Sequence, residues 1–106
     1  MVDEKVIGEA AVRLLHAAPR GSEVILFGSY ARGDATEESD LDFLVIEPDL
    51  TDRRLETVRL RQVLRGMPVG IDILVASRPT FEAWKETPNN TLNQAWKEGR
   101  VYREVG

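Results

Sequence analysis

The chain has 106 residues, 42% of them hydrophobic and 30% charged, with a formal net charge of −4. A chain of this length forms one domain, expected over residues 1–106, and buries roughly two-thirds of its unfolded surface in a single modest core. The absence of cysteine excludes disulfides, thiolate metal sites and cysteine nucleophiles. The acidic balance argues against direct nucleic-acid binding. No apolar run approaches the roughly 18 residues of a membrane span, and Met1-Val2-Asp3-Glu4-Lys5 lacks a signal peptide's apolar core. The expectation is a soluble cytoplasmic protein.

Val6, Ile7, Ala10, Ala11, Leu14, Leu15 and Ala18 recur at helical spacing and predict an amphipathic helix over 3–18, stopped by Pro19 and Gly21. Glu23-Val24-Ile25-Leu26-Phe27 reads as a strand. Ser29 to Arg32 starts a short helix directly after Gly28, and the polar stretch 33–39 is a loop. Leu41 to Ile46 is apolar at both parities, the pattern of a strand covered on both faces. Pro48 ends it. Thr51 or Asp52 can cap a helix over 52–65, which Gly66 and Pro68 close. Val69 to Ala76 is a third strand. Pro79 suits the first turn of a helix over 79–86. Pro88-Asn89-Asn90 breaks that helix, Thr91 to Glu98 forms a last one, and Val101 to Glu104 is an edge strand or an extended tail. Helices interleaved with strands in this order predict a small sheet with helices packed on it.

Against this frame, Gly28-Ser29 stands at the end of one strand and Asp40-Leu41-Asp42 at the start of the next. Residues i and i+2 of a strand share a face, so Asp40 and Asp42 point the same way. Asp72 lies near the start of its own strand and can join them if the two strands are neighbours. Three carboxylates gathered without a counter-charge repel one another and raise each other's pKa. A hard divalent cation relieves that repulsion and prefers oxygen ligands. Glycine lets the backbone turn sharply and approach a ligand, and amides at a helix start face phosphates. The Ser29 hydroxyl adds one hydrogen bond. Arg32, one turn on, either contacts a phosphate or pairs with Asp34 or Glu38. Candidate metal ligands and catalytic groups are thus Asp40, Asp42 and Asp72, and candidate nucleotide-binding residues are Gly28, Ser29 and Arg32.

Other residues read as structural. His16 falls outside the apolar stripe of its helix and faces solvent. Arg54, Arg61 and Arg65 cluster on one helical face, which reads as a solvated surface before a contact for an acidic partner or nucleic acid. Phe81, Trp84, Leu92 and Trp96 are expected mostly to cover the sheet, with one or two left exposed for a partner.

Gly28-Ser29-Tyr30-Ala31-Arg32-Gly33 and Ser39-Asp40-Leu41-Asp42 resemble the nucleotidyltransferase superfamily, and within it the minimal nucleotidyltransferases. The resemblance covers roughly residues 5–103, including the third carboxylate and the tail Glu98-Gly99-Arg100-Val101-Tyr102. It implies a single nucleotidyltransferase domain of α+β class, a small two-layer fold with a mixed sheet and helices packed on it. It implies ATP as substrate and Mg²⁺ as cofactor, with two ions. By this resemblance Gly28 and Ser29 hold the triphosphate, and Asp40 and Asp42 bind both ions. Asp72 would bind the catalytic ion and help deprotonate the acceptor hydroxyl. The minimal members act as antitoxins beside a HEPN-type toxin, which implies transfer of AMP to a tyrosine of that partner. Two other functions stand beside this one: an antitoxin that neutralises its partner by binding alone, and a transferase acting on a small molecule such as an antibiotic.

Overall fold

The computed structural model describes residues 1–104. Helix α1 (Glu4–Ala17) starts at Asp3, whose side chain accepts from the Val6 amide at 3.1 Å. Its apolar stripe, Ile7, Ala10, Ala11, Leu14 and Leu15, is buried, and His16 is exposed. Strand β1 (Glu23–Phe27) leads through Gly28 into the single turn α2 (Ser29–Arg32), which Gly33 closes in the left-handed conformation. Strand β2 (Leu41–Glu47) is followed by α3 (Arg53–Gln62), capped by Asp52, whose side chain accepts from the Leu55 amide. This helix ends three residues earlier than its periodicity suggests. Residues 63–65 continue as tighter turns, with Val63, Leu64 and Arg65 amides donating three residues back. The Arg13 guanidinium takes up the Val63 and Arg65 carbonyls there.

Strand β3 (Ile71–Ser77) passes directly into α4 (Arg78–Trp84), with Pro79 in its first turn. Asn90 caps α5 (Thr91–Glu98), and β4 (Arg100–Arg103) completes the sheet as a true edge strand. The four-stranded sheet has the order β3-β2-β1-β4. β1 is antiparallel to both β2 and β4, while β2 and β3 run parallel, so the sheet is mixed. Every chain end leading into or out of Gly28, Asp40, Asp72 and Glu98 therefore meets at one end of the sheet.

The α+β class and the mixed sheet stand as expected. The helices packed on it lie on both of its faces. β1 and β2 are apolar at both parities, and each parity needs its own cover. Val24, Leu26, Leu41, Phe43 and Val45 join α1 and α3 in one core. Ile25, Phe27, Leu44 and Ile46 join Phe81 of α4 and Ala95 of α5 in the other. Phe81 is buried and Leu92 packs against this second core, but Trp84 and Trp96 are 53% and 45% exposed. Both helices are too short to turn every aromatic inward. Trp96 instead lies beneath the Lys85 ammonium, 5.8 Å from its ring centre.

Candidate active site

Gly28 follows Phe27, the β1 residue paired with Asp42 of β2. Its φ of +79° with ψ of −159° is a conformation that side-chain-bearing residues rarely adopt. A Cβ there would also collide with the Asp42 carboxylate. Two separate constraints therefore demand glycine at this position. The Gly28 carbonyl accepts from the Ala31 and Arg32 amides at 3.0 Å, which closes the α2 turn. The Ser29 and Tyr30 amides, in its first turn, have no carbonyl of the helix within reach.

On the other side of Asp42 lies β3. Parallel pairing sets Asp42 directly beside Asp72, and Asp40 precedes the first β2 residue. The Leu41 amide donates to the Gly70 carbonyl at 2.9 Å, which ties the beginnings of the two strands together. A Cβ on Gly70 would collide with the Asp40 carboxylate, so that side chain rests on bare backbone. Asp42 and Asp72 share the sheet face that carries Leu44 and Leu74, the side of α4 and α5.

Backbone placement thus gathers Asp40, Asp42 and Asp72 at one rim of the sheet. The side chains do not close on a common point: among the described residues no three acidic or histidine side chains converge as metal ligands. Asp40 leans on Gly70 and Asp42 on Gly28. The repulsion is nevertheless felt. Burial first, then the charges of Asp72 and Asp40, raise the Asp42 pKa above the usual carboxylate range, with Glu98 adding to the rise and Arg32 opposing it. Among the described residues none of the three aspartates forms an ion pair with lysine or arginine.

Arg32 is committed to carboxylates. Its guanidinium reaches Asp34 at 3.2 Å and Glu98 at 3.0 Å, not Glu38. Glu98 is the residue that sequence reasoning did not assign to the site. Its Oε2 accepts from the Gly28 amide at 2.6 Å, from Arg32 at 3.0 Å and from Gln94 at 3.1 Å. One signal was available. A glutamate in the last turn of a helix opposes the helix dipole, so its presence there asks for a partner outside the helix.

The chain belongs to the nucleotidyltransferase domain family, whose model matches residues 9–103. Two proteins of Methanocaldococcus jannaschii, each described as a "Putative protein adenylyltransferase", are similar to it. One is 54% identical over 48 residues, 43% of this chain and 47% of that protein. The other is 40% identical over 53 residues, 50% of this chain and 52% of that protein. The matched stretch thus spans about half the length of these curated relatives. Among solved structures, a crystal structure of a toxin-antitoxin with AMP-PNP superposes with a TM-score of 0.64 at 19% identity, covering 97% of this chain and 75% of the other. At that identity the likeness is one of fold. Among the described residues no helix is long and apolar enough to cross a membrane.

Proposed function

We propose that this chain transfers AMP from ATP to a protein hydroxyl with the help of Mg²⁺, as the antitoxin of a cytoplasmic toxin–antitoxin pair. The acceptor in this reading is a tyrosine of a HEPN-type toxin. The observation that carries the proposal is the pairing of Asp42 with Asp72 across β2 and β3, flanked by Asp40 and by the bare Gly28-Ser29 turn. The relatives described as protein adenylyltransferases support a protein acceptor, and the toxin–antitoxin fold neighbour supports a toxin partner.

Three carboxylates on one rim, one of them with its pKa raised by burial and then by the other two, are a donor set that fits hard divalent cations. Asp40 and Asp42 would hold both ions and Asp72 the one nearer the acceptor. When bound, Mg²⁺ neutralises charge on the triphosphate and favours ionisation of the acceptor hydroxyl. The remaining work falls to the chain. Gly28 lets the phosphates approach the backbone, and the Ser29 hydroxyl and first-turn amides donate to their oxygens. Asp72, exposed at the rim, accepts the proton of the acceptor hydroxyl. The acceptor oxygen then bonds to the α-phosphorus as the bond to the β-phosphate oxygen breaks. Pyrophosphate leaves and AMP remains on the acceptor.

The test is label transfer on material purified with its natural partner, using Mg²⁺ and ATP labelled at the α-phosphate, with Asp40→Asn as control. Label on a second polypeptide, absent with Asp40→Asn, is the expected result. No label with the partner stably bound would replace this reading with neutralisation by binding. Transfer to a small hydroxyl compound by the isolated chain would replace it with a small-molecule transferase.

A further inference from the structure

Glu98 lies 70 residues from Gly28 in sequence, yet its carboxylate makes the shortest of its three hydrogen bonds to the Gly28 amide, at 2.6 Å. The approach is enforced from behind. Gly99, the next residue, packs so closely against β1 that a Cβ would collide with the Ile25 side chain and the Ala95 carbonyl. That close contact fixes where α5 ends and so where Glu98 begins. The same oxygen holds the Arg32 guanidinium at 3.0 Å, at the far end of the α2 turn. Gln94, one helical turn before Glu98, donates to it as well. A single, largely covered carboxylate thus grips both ends of the Gly28–Arg32 turn. It does so with charge-assisted bonds, which run roughly twice as strong as neutral ones.

We infer that Glu98 is a positioning residue for nucleotide: it fixes the Gly28 peptide and the Arg32 side chain so that the Ser29 and Tyr30 amides stay aimed at the triphosphate. This rests on the nucleotide-transfer reading above and adds to it a residue from the opposite end of the chain. Gly28 occupies a region of backbone space open to few residues and to many conformations of glycine. An unanchored glycine there would sample several orientations, and each bound phosphate would have to select one of them. Glu98 removes that freedom before the nucleotide arrives. It also couples the turn to α5 and β4, so displacement of the C-terminal segment would loosen the nucleotide site.

The experiment is titration of AMP-PNP with Mg²⁺ into the full chain, wild type against Glu98→Ala, Glu98→Gln and Asn93→Ala. Glu98→Ala should weaken binding about tenfold or more, the loss of a hydrogen bond to a charged group. Glu98→Gln keeps an acceptor for the Gly28 amide and should recover most of that loss. Asn93 sits in the same helix and bonds the Lys85 carbonyl at 2.7 Å without touching the turn. Asn93→Ala should lower the melting temperature and leave nucleotide affinity unchanged, which separates positioning from general support of α5. In the transfer assay, Glu98→Ala should raise the KM for ATP more than it lowers kcat. Wild-type affinity in folded Glu98→Ala would overturn the inference alone. Tighter binding would overturn it too, because the carboxylate would then compete with phosphate for the Gly28 amide. A wild-type chain that binds no AMP-PNP would overturn the nucleotide reading itself. Should Glu98→Ala fail to fold, the Gly28 amide proton resonance decides: a charge-assisted bond holds it downfield, so Glu98→Gln should move it upfield while Arg32→Ala leaves it near its wild-type position, and an unmoved resonance in Glu98→Gln would overturn the anchoring.

Discussion

The two ends of the sheet both crowd carboxyl groups together, and they handle the crowding in opposite ways. At the far end of β2, Glu47 is 2% exposed and faces Glu56 of α3. Burial, then the neighbouring Glu56, push its pKa up to about 8. Hydrogen bonds from Arg59 and from Glu47 hold Glu56 down to about 2. With Glu47 held toward its neutral form and Glu56 paired with Arg59 at 2.7 Å, that end is nearly balanced in charge. Arg59 is itself anchored, donating to Glu56 and to the Ala17 carbonyl at 2.7 Å. At the near end, Asp40, Asp42 and Asp72 have no such arginine, and the fourth carboxylate, Glu98, spends its bonds on the turn and on Arg32. A fold that neutralises one acidic cluster internally and leaves the other open presents the second to a cation from outside. That contrast is the physical argument for the metal site proposed at Asp40, Asp42 and Asp72.

The contrast breaks most sharply at Asp42. Asp42→Asn should cut transfer at least a hundredfold while raising the metal-free melting temperature by a few degrees, since it removes a charge that burial and two neighbours penalise. A residue whose removal stabilises the fold and stops the reaction is maintained for chemistry. Gly28→Ala should follow in size. The added methyl meets the Asp42 carboxylate and demands an unfavourable φ, so nucleotide binding should fall tenfold or more and the melting temperature should drop. Calorimetry and thermal melts check both.

At the far end, the expected effect is on stability alone. The folded Glu47 pKa lies above its unfolded value, so the folded state holds a proton that the unfolded state releases. Its contribution is complete below about pH 4.5 and is lost as pH rises toward about 8. Glu56 acts oppositely: its contribution is complete above about pH 4.5 and is lost as pH falls toward about 2. Melting temperature should therefore decline between pH 5 and 8, and Glu47→Gln should flatten that decline with transfer unchanged. The smallest effect belongs to Arg32→Ala. Its bonds to Asp34 and Glu98 are solvent-exposed ion pairs, so the midpoint of urea melts should barely move.

Most of the near end was legible because its signals are local. Gly28-Ser29 at a strand end and aspartates two apart at a strand start declare their geometry within a few residues. The strand assignments followed from apolar runs bounded by turn residues, and β1, α2 and α5 fall on their expected residues. What escaped depends on long-range placement. Glu98 reaches Gly28 only because Gly99 lets α5 close on β1, a contact between segments far apart in sequence. Glu47 reads as the charged end of a strand, and only the packing of α3 over it makes it a buried acid. The exposure of Trp84 and Trp96 likewise depends on how little of α4 and α5 the sheet can cover.

The most direct test of the open acidic end is the melting temperature of wild type and Asp42→Asn with Mg²⁺ and AMP-PNP added singly and together. Ligand that binds the folded state raises it by mass action. The wild type should rise with Mg²⁺ and AMP-PNP together far more than with AMP-PNP in a chelator, and Asp42→Asn should start higher and stay level. An equal rise in both proteins, or a rise with AMP-PNP that ignores Mg²⁺, would contradict a metal–nucleotide site at these carboxylates.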